Sequence, residues 1–198
     1  MSSSIGHSLI AISIQRATEP TDTKAKWVTS FWWTLCLVIV ANFPDVGRVL
    51  EHVGGIRPEI THLLAFVLVL PTLLLPLVCW AAEGRERMVA VVQLFATSIS
   101  HIAADLLVGV KNYQLFWPFS DCSVRLPFGF LPSSPGVSLF NPYLYRNLVI
   151  ELAILLPLFY FSGWRKVQLW QGSRKCLTIA ALSSFIAGAC VAYHLDRP

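Results

Sequence analysis

The chain has few charged residues for its length. Lysine, arginine, aspartate and glutamate make up 13% of its 198 residues, whereas ordinary soluble domains contain about 25%. A hydrophobic share of 55% accompanies this shortage. The composition therefore excludes an ordinary soluble domain and indicates an integral membrane protein. The formal net charge of +4 is spread between apolar segments, without a basic stripe or interleaved stacking aromatics, so nucleic acid is not an expected partner.

Close cysteine pairs are also lacking. The chain has five cysteines, and no two of them form a CxxC or another short metal-binding spacing. Four lie within or beside apolar segments, where a thiol behaves as a small hydrophobic group, and Cys122 lies in a loop. No disulfide framework is therefore expected.

Five apolar segments are present, each close to the roughly 20 residues that cross the hydrocarbon core of a bilayer. Backbone groups in lipid must hydrogen-bond within their own segment, so each segment is predicted to be a helix. The expected fold is all-α, a polytopic membrane helix bundle of about five transmembrane helices in a single domain of residues 27–198. A polar N-terminal arm, residues 1–26, precedes it as either a short interfacial helix or a disordered segment. The predicted spans are residues 27–44, 60–82, 88–110, 147–164 and 176–195.

Residues 111–146 separate the third and fourth spans and are too many for a simple connection. The stretch is rich in proline, which prevents a continuous helix, and in aromatic residues, which favour the headgroup region of a membrane. The sequence leaves two interpretations open, a lid or interfacial loop on the one hand and a passive aromatic anchor on the other.

Lysine and arginine are distributed unevenly between the two ends of the spans. Nine fall on the side that includes residues 1–26, and six fall on the other side. Since cytoplasmic loops carry the excess of positive charge, the N-terminus is predicted to be cytoplasmic and the C-terminus to lie outside.

Two ionisable residues lie within the third span. His101 and Asp105 are four residues apart, so they share one face of a helix. An ionisable group at this depth costs about 2.5–3.5 kcal/mol on insertion scales, which indicates either a functional site or polar contacts that join two helices. The up-and-down order of the helices brings Asp45, His62 and Glu151 to the same level. The first three of these helices supply two imidazoles and two carboxylates, a set that suits zinc and is acceptable for manganese or iron.

Several short motifs follow one another between residues 44 and 120. The chain thereby resembles the bacterial family of membrane-bound metal-dependent hydrolases, also called LexA-binding inner-membrane-associated hydrolases. The last two helices add little to the resemblance. The motifs are Pro44-Asp45, Thr61-His62 with Arg57 shortly before it, the HxxxD element from His101 to Asp105, and Leu115-Phe116-Trp117-Pro118-Phe119-Ser120.

The resemblance implies a hydrolase of the bacterial inner membrane that acts on an ester or phosphoester of a lipid-like substrate at the extracytoplasmic face. Bound zinc lowers the pKa of water to about 7, which would supply the nucleophile. Asp105 would be a ligand or the general base, and Glu151 a base or ligand unless it only pairs near the membrane surface. Arg57 would orient an anionic group such as a lipid phosphate, or is simply a surface charge. The implied ligands of the divalent metal, zinc first, are Asp45, His62, His101 and Asp105.

The chain departs from the family pattern in two places. No second acid follows Asp45, and the segment before His62 has one extra residue and lacks the family's first histidine. These departures keep a second interpretation open, a non-catalytic membrane scaffold or assembly factor. A third, an ion-coupled carrier that uses Asp105 and Glu151, is disfavoured because the chain has no evident internal repeat. Membrane lipid is the expected partner in each case.

Overall fold

The computed structural model describes residues 3–20, 27–54, 58–109, 112–126, 129, 131, 142–162 and 171–194, and these residues are mainly helical. Two short 3-10 helices, Phe43–Asp45 and Pro58–His62, flank the third α-helix. The α-helices are α1 (Ser4–Thr18), α2 (Phe31–Asn42), α3 (Val46–Gly54), α4 (Leu64–Ala81), α5 (Gly84–Val108), α6 (Pro142–Ser162) and α7 (Gln171–Tyr193).

Helices α4 to α7 correspond to four of the five predicted spans. Each contains an apolar stretch of at least 18 residues with few charges, which is long enough to cross a bilayer core. Large apolar side chains such as Leu73, Trp80 and Ile186 point outward from these helices, as expected where the surrounding solvent is lipid. The prediction of an all-α membrane helix bundle is confirmed.

The helix in the first predicted span is shorter than the prediction. It begins at Phe31 rather than at residue 27, because the Ser30 side chain accepts a hydrogen bond from the Trp33 amide and caps α2. The 12 residues of α2 rise about 18 Å. The 3-10 helix Phe43–Asp45 adds one turn, which still leaves this segment short of a hydrocarbon core of about 30 Å.

The N-terminal arm contains a helix that belongs to the bundle. Helix α1 packs against α2, α5 and α6. The Ser3 side chain caps it by accepting a hydrogen bond from the Gly6 amide. Its buried residues include His7, Ser13 and Gln15, which is why the segment is too polar to be recognised as a span from hydropathy.

A buried polar network joins α1 to α2 and α5. The Trp33 indole donates to Gln93 Oε1 at 2.6 Å, and Gln93 Nε2 donates to Thr18 Oγ1 at 3.0 Å and to the Gln15 carbonyl at 3.3 Å. Gln15 Nε2 donates in turn to the Val28 carbonyl at 2.9 Å. These bonds satisfy polar groups that would otherwise be costly to bury, so they fix the position of α1.

The direction of the helices determines which residues meet. At one end, the Glu86 carboxylate near the start of α5 accepts the amide hydrogens of Trp27 and Val28, just before α2, at 2.8 and 3.1 Å. Helices α2 and α5 therefore run in the same direction. We call the opposite end, where α2 and α5 finish and α4 begins, the site end. Helix α1 begins at the site end, since His7 stacks on His101. The count of basic residues had instead predicted that residues 1–26 lie at the end opposite to the site.

The segment after α5 folds back over the site end. Tyr113 and Val124 pair through both backbone groups, at 3.0 and 2.9 Å. The Leu64 amide donates to the Leu115 carbonyl at 3.0 Å, which attaches this segment to the start of α4. Phe119 is 92% exposed, as suits a side chain at a membrane surface. The predicted 111–146 loop is too long at its end, because residues 142–146 belong to α6. Of residues 127–141, only 129 and 131 lie in the described part of the chain.

Candidate metal centre

Asp105 is the residue around which the site is arranged. Its side chain is 1% exposed on α5. Oδ2 accepts a hydrogen bond from the Tyr113 hydroxyl at 3.2 Å and lies 3.4 Å from His62 Nε2 and 3.9 Å from His101 Nε2. Oδ1 lies 3.7 Å from Nε2 of His7. Oδ1 thus faces the imidazole of His7, and Oδ2 faces the imidazoles of His62 and His101.

His101 directs its unprotonated ring nitrogen, Nε2, toward this centre. Its Nδ1 donates a hydrogen bond of 2.7 Å to the Ala41 carbonyl, which can only accept. The proton therefore resides on Nδ1, and the Nε2 lone pair is available as a metal ligand. This nitrogen is 3.4 Å from His62 Nε2. The short terminal turn of α2 supplies the carbonyl that fixes the tautomer.

His62 is held by its neighbours in sequence and by a glycine across the site. It ends the 3-10 helix Pro58–His62, and its Nδ1 is 3.3 Å from Thr61 Oγ1. Gly47 on α3 packs directly on Thr61, since a Cβ at this glycine would lie 2.9 Å from Thr61 Cγ2. The absence of a side chain at Gly47 lets α3 approach closely enough to position His62.

Asp45 enters the site from the 3-10 helix that follows α2. Pro44, early in that helix, has no amide hydrogen to satisfy and preorganises the turn. A carboxylate oxygen of Asp45, a ring nitrogen of His62 and a ring nitrogen of His101 all lie within 4.8 Å of one another. The structure thus places Asp45 in one group with His62 and His101, and it places Asp105 against the same two histidines.

The separations suit a small ion. Tetrahedral ligands about 2.1 Å from zinc lie about 3.4 Å from one another. The distances among His62 Nε2, His101 Nε2 and Asp105 Oδ2 are 3.4, 3.4 and 3.9 Å. The two imidazole rings are tilted by 50°, so their lone pairs can converge on one point. These residues fit a cation of this size and preference for nitrogen and oxygen.

Glu151, another predicted site residue, stands apart from this group. Glu151 lies on α6, and its carboxylate accepts hydrogen bonds from the Ser3 amide, at 3.0 Å, and from the Ser3 hydroxyl. It therefore anchors the start of α1, and among the described residues it is not a member of either candidate ligand group. Arg57 lies outside the described residues.

Two residues of the site were not predicted from the sequence. His7 approaches from α1, and its ring stacks on that of His101 with centroids 3.9 Å apart and planes 18° apart. Tyr113 approaches from the segment after α5. Gly109 ends α5 in the left-handed conformation, with φ at 69°, and so turns the chain back toward Asp105. The available signals were weak: a histidine beside a short apolar run, and a tyrosine just before the Leu115–Ser120 motif.

The arrangement comprises buried histidines, the buried Asp105 and the half-buried Asp45 at one end of an apolar bundle. The comparison with known families agrees with a membrane setting. The family model for the YdjM inner membrane protein matches residues 1–194. The chain belongs to this family. The family is one of bacterial inner-membrane proteins, and four helices are long and apolar enough to cross a membrane. The chain is therefore an integral membrane protein. No curated protein and no solved structure matches the chain.

The match to the family includes α1. Because it extends from residue 1 to residue 194, it covers both His7 and the last two helices. The short motifs named in the sequence analysis lie only between residues 44 and 120. The family description specifies a membrane location and no reaction.

Proposed function

We propose that the chain is a membrane-embedded hydrolase that depends on a divalent cation, zinc first. The observation that supports this most directly is the convergence of His62 Nε2, His101 Nε2 and Asp105 Oδ2 within 3.9 Å. Asp45 is the fourth proposed ligand, with a carboxylate oxygen in the same group as the two histidines. When bound, zinc would polarise the substrate and lower the pKa of a bound water to about 7.

The protein's own groups prepare the ligands. The Ala41 carbonyl keeps the proton of His101 on Nδ1, which leaves the lone pair of Nε2 available for a bond to a metal. The Tyr113 hydroxyl donates to Asp105 Oδ2 and orients the carboxylate. A buried carboxylate is costly in an apolar bundle unless it is paired. A cation held by Asp105, His62 and His101 would supply the opposite charge.

An ester or phosphoester of a lipid-like molecule is the proposed substrate class. His101 lies seven residues before the last residue of α5, which places it about 10 Å from that end of the helix. Exposed aromatic side chains, including Phe119, surround the same end. A site just below a membrane surface suits a molecule whose polar head enters the centre while its apolar tail stays in lipid. On the resemblance, Arg57 would hold an anionic head group.

Elemental analysis of the purified protein, prepared without chelators, tests the metal dependence. We expect bound zinc near one equivalent per chain, and its loss in His101→Ala. His194→Ala is the matched control, because His194 is exposed beyond the end of α7. Absence of metal in the wild type, or retention in His101→Ala, would contradict the proposal.

Hydrolysis is tested separately on detergent-solubilised protein with chromogenic carboxylic esters and phosphodiesters that carry an alkyl chain. We expect turnover that is lost on chelation and restored by zinc, and that is absent in Asp105→Asn. A protein that binds metal and hydrolyses neither class would instead favour the scaffold interpretation.

A further inference from the structure

His7 is buried beside the centre with its hydrogen-bonding capacity unused. Its side chain is 1% exposed, and neither ring nitrogen has a hydrogen-bond partner among the described residues. Buried polar groups are nearly always hydrogen-bonded, so such a nitrogen needs an explanation. Nε2 faces Asp105 Oδ1 at 3.7 Å, which directs it into the site.

The stacking geometry prevents His7 from sharing an ion with His101. A metal lies in the plane of the imidazole that binds it, along the lone pair of the ligating nitrogen. The two rings are nearly parallel, 18° apart, with centroids 3.9 Å apart. An ion in the plane of one ring therefore lies over the face of the other, where no lone pair points. His62 and His101, tilted by 50°, do not have this restriction.

The same geometry places a second position beside the first. His7 Nε2 and His101 Nε2 approach the two oxygens of a single carboxylate, Oδ1 at 3.7 Å and Oδ2 at 3.9 Å. Two parallel rings stacked 3.9 Å apart direct their lone pairs to points separated by a similar distance. Two-metal hydrolytic sites hold their ions about 3.5–4 Å apart.

We propose that Asp105 bridges two cations, and that His7 and Asp105 Oδ1 hold the second. This inference rests on the proposed function, because the first ion is the one assigned above to His62, His101, Asp45 and Asp105 Oδ2. A separation of 3.7 Å between His7 Nε2 and Oδ1 accommodates a cation about 2.1 Å from each atom.

The second cation has fewer protein ligands than the first, so most of its coordination positions are filled by water or substrate. Magnesium binds in this way, through one or two protein groups together with substrate phosphate oxygens. Carboxylate and water ligands also suit manganese, which accepts an imidazole ligand more readily than magnesium does. A second cation also bears on whether the substrate is a carboxylic ester or a phosphoester, because two adjacent cations can stabilise both the attacking and the leaving oxygen of a phosphoester. A phosphoester is thus preferred to a carboxylic ester.

Titration of the metal-free, full-length protein with Mn²⁺ tests the second site, with free Mn²⁺ followed by electron paramagnetic resonance. We expect two equivalents bound by the wild type, with the spin-coupled signal of a close manganese pair. His7→Phe keeps a ring stacked on His101 but removes the nitrogen. It should bind one equivalent and give no pair signal. His194→Phe, a substitution at an exposed histidine, should behave as the wild type does.

The outcomes separate this inference from the proposed function. Two equivalents in His7→Phe, or one equivalent with no pair signal in the wild type, would overturn the second site and leave the first intact. No bound manganese or zinc in the wild type would overturn both. Thermal unfolding of His7→Phe and wild type in chelator, where equal midpoints are expected, shows that the variant is folded. If it is not, His7→Gln is titrated in its place and is also expected to bind one equivalent, since its amide is a poor ligand.

Discussion

Replacing Tyr113 with phenylalanine removes one oxygen atom from the centre and leaves the rest of the ring in place. The lost hydroxyl donates to Asp105 Oδ2 at 3.2 Å. The ring contact with His62, with centroids 5.8 Å apart, is retained. A hydrogen bond to a charged group contributes about 1.5–3 kcal/mol. Loss of an outer partner of a metal ligand typically lowers metal affinity about 10–100-fold. Since tenfold corresponds to about 1.4 kcal/mol, the two figures agree.

The assay is competition for zinc between the detergent-solubilised protein and a chromogenic chelator. We expect the Kd for zinc of Tyr113→Phe to rise about 10–100-fold. Tyr193→Phe is the matched control, because Tyr193 is 67% exposed at the end of α7 and should leave the Kd unchanged. A Tyr113→Phe protein that binds zinc as tightly as the wild type would refute the reasoning, because Asp105 would then be oriented without the hydroxyl.

Three further substitutions test other parts of the architecture. Gly47→Ala places a Cβ against Thr61 and should weaken zinc binding and lower stability by about 1–3 kcal/mol, measured by chelator competition and thermal unfolding. Gln93→Leu leaves buried donors and acceptors unpaired and should lower the unfolding free energy by about 1–3 kcal/mol, measured in detergent. Glu151→Ala removes the acceptor of the Ser3 amide and should increase hydrogen exchange in α1 without a comparable change in α4. Unchanged values would contradict each expectation in turn.

The membrane-spanning helices were predictable because they follow from the length and the low polarity of the apolar segments. Segments of about 20 apolar residues have one stable form in lipid, so α4 to α7 could be located from composition. The meeting of His101 and Asp105 on one face followed from helical periodicity, and the return of His62 to their level followed from the alternating direction of the helices.

The contribution of α1 could not be predicted in the same way. Its 15 residues include buried Gln15, which donates to the Val28 carbonyl and whose own carbonyl accepts a hydrogen bond from Gln93, 78 residues later in the chain. No local pattern encodes those partners. The hydrogen bond between Ser3 and Glu151 could not be predicted for a related reason, since only the packing of α1 on α6 brings the two residues together.

Tyr113 illustrates a different limit. It reaches Asp105 because the backbone reverses at Gly109 and pairs with Val124, and this path is set by turn geometry rather than by periodicity. A tyrosine in a segment rich in aromatic residues has no feature that distinguishes a ligand-orienting residue from an interfacial anchor. The sequence could therefore identify the buried acid but not the group that orients it.

The polar character of α1 constrains how the protein is made. Helix α1 has only 15 residues, and these include a serine and a glutamine that are buried in the bundle. Such a segment is expected to pass poorly from the translocation channel into lipid. Its acceptors and donors on α2 and α5 are synthesised afterwards, so α1 is expected to wait at the membrane surface and to dock once those helices are inserted. Biogenesis of the centre then ends with a late insertion step that delivers His7, and a nascent chain arrested before α5 would lack it.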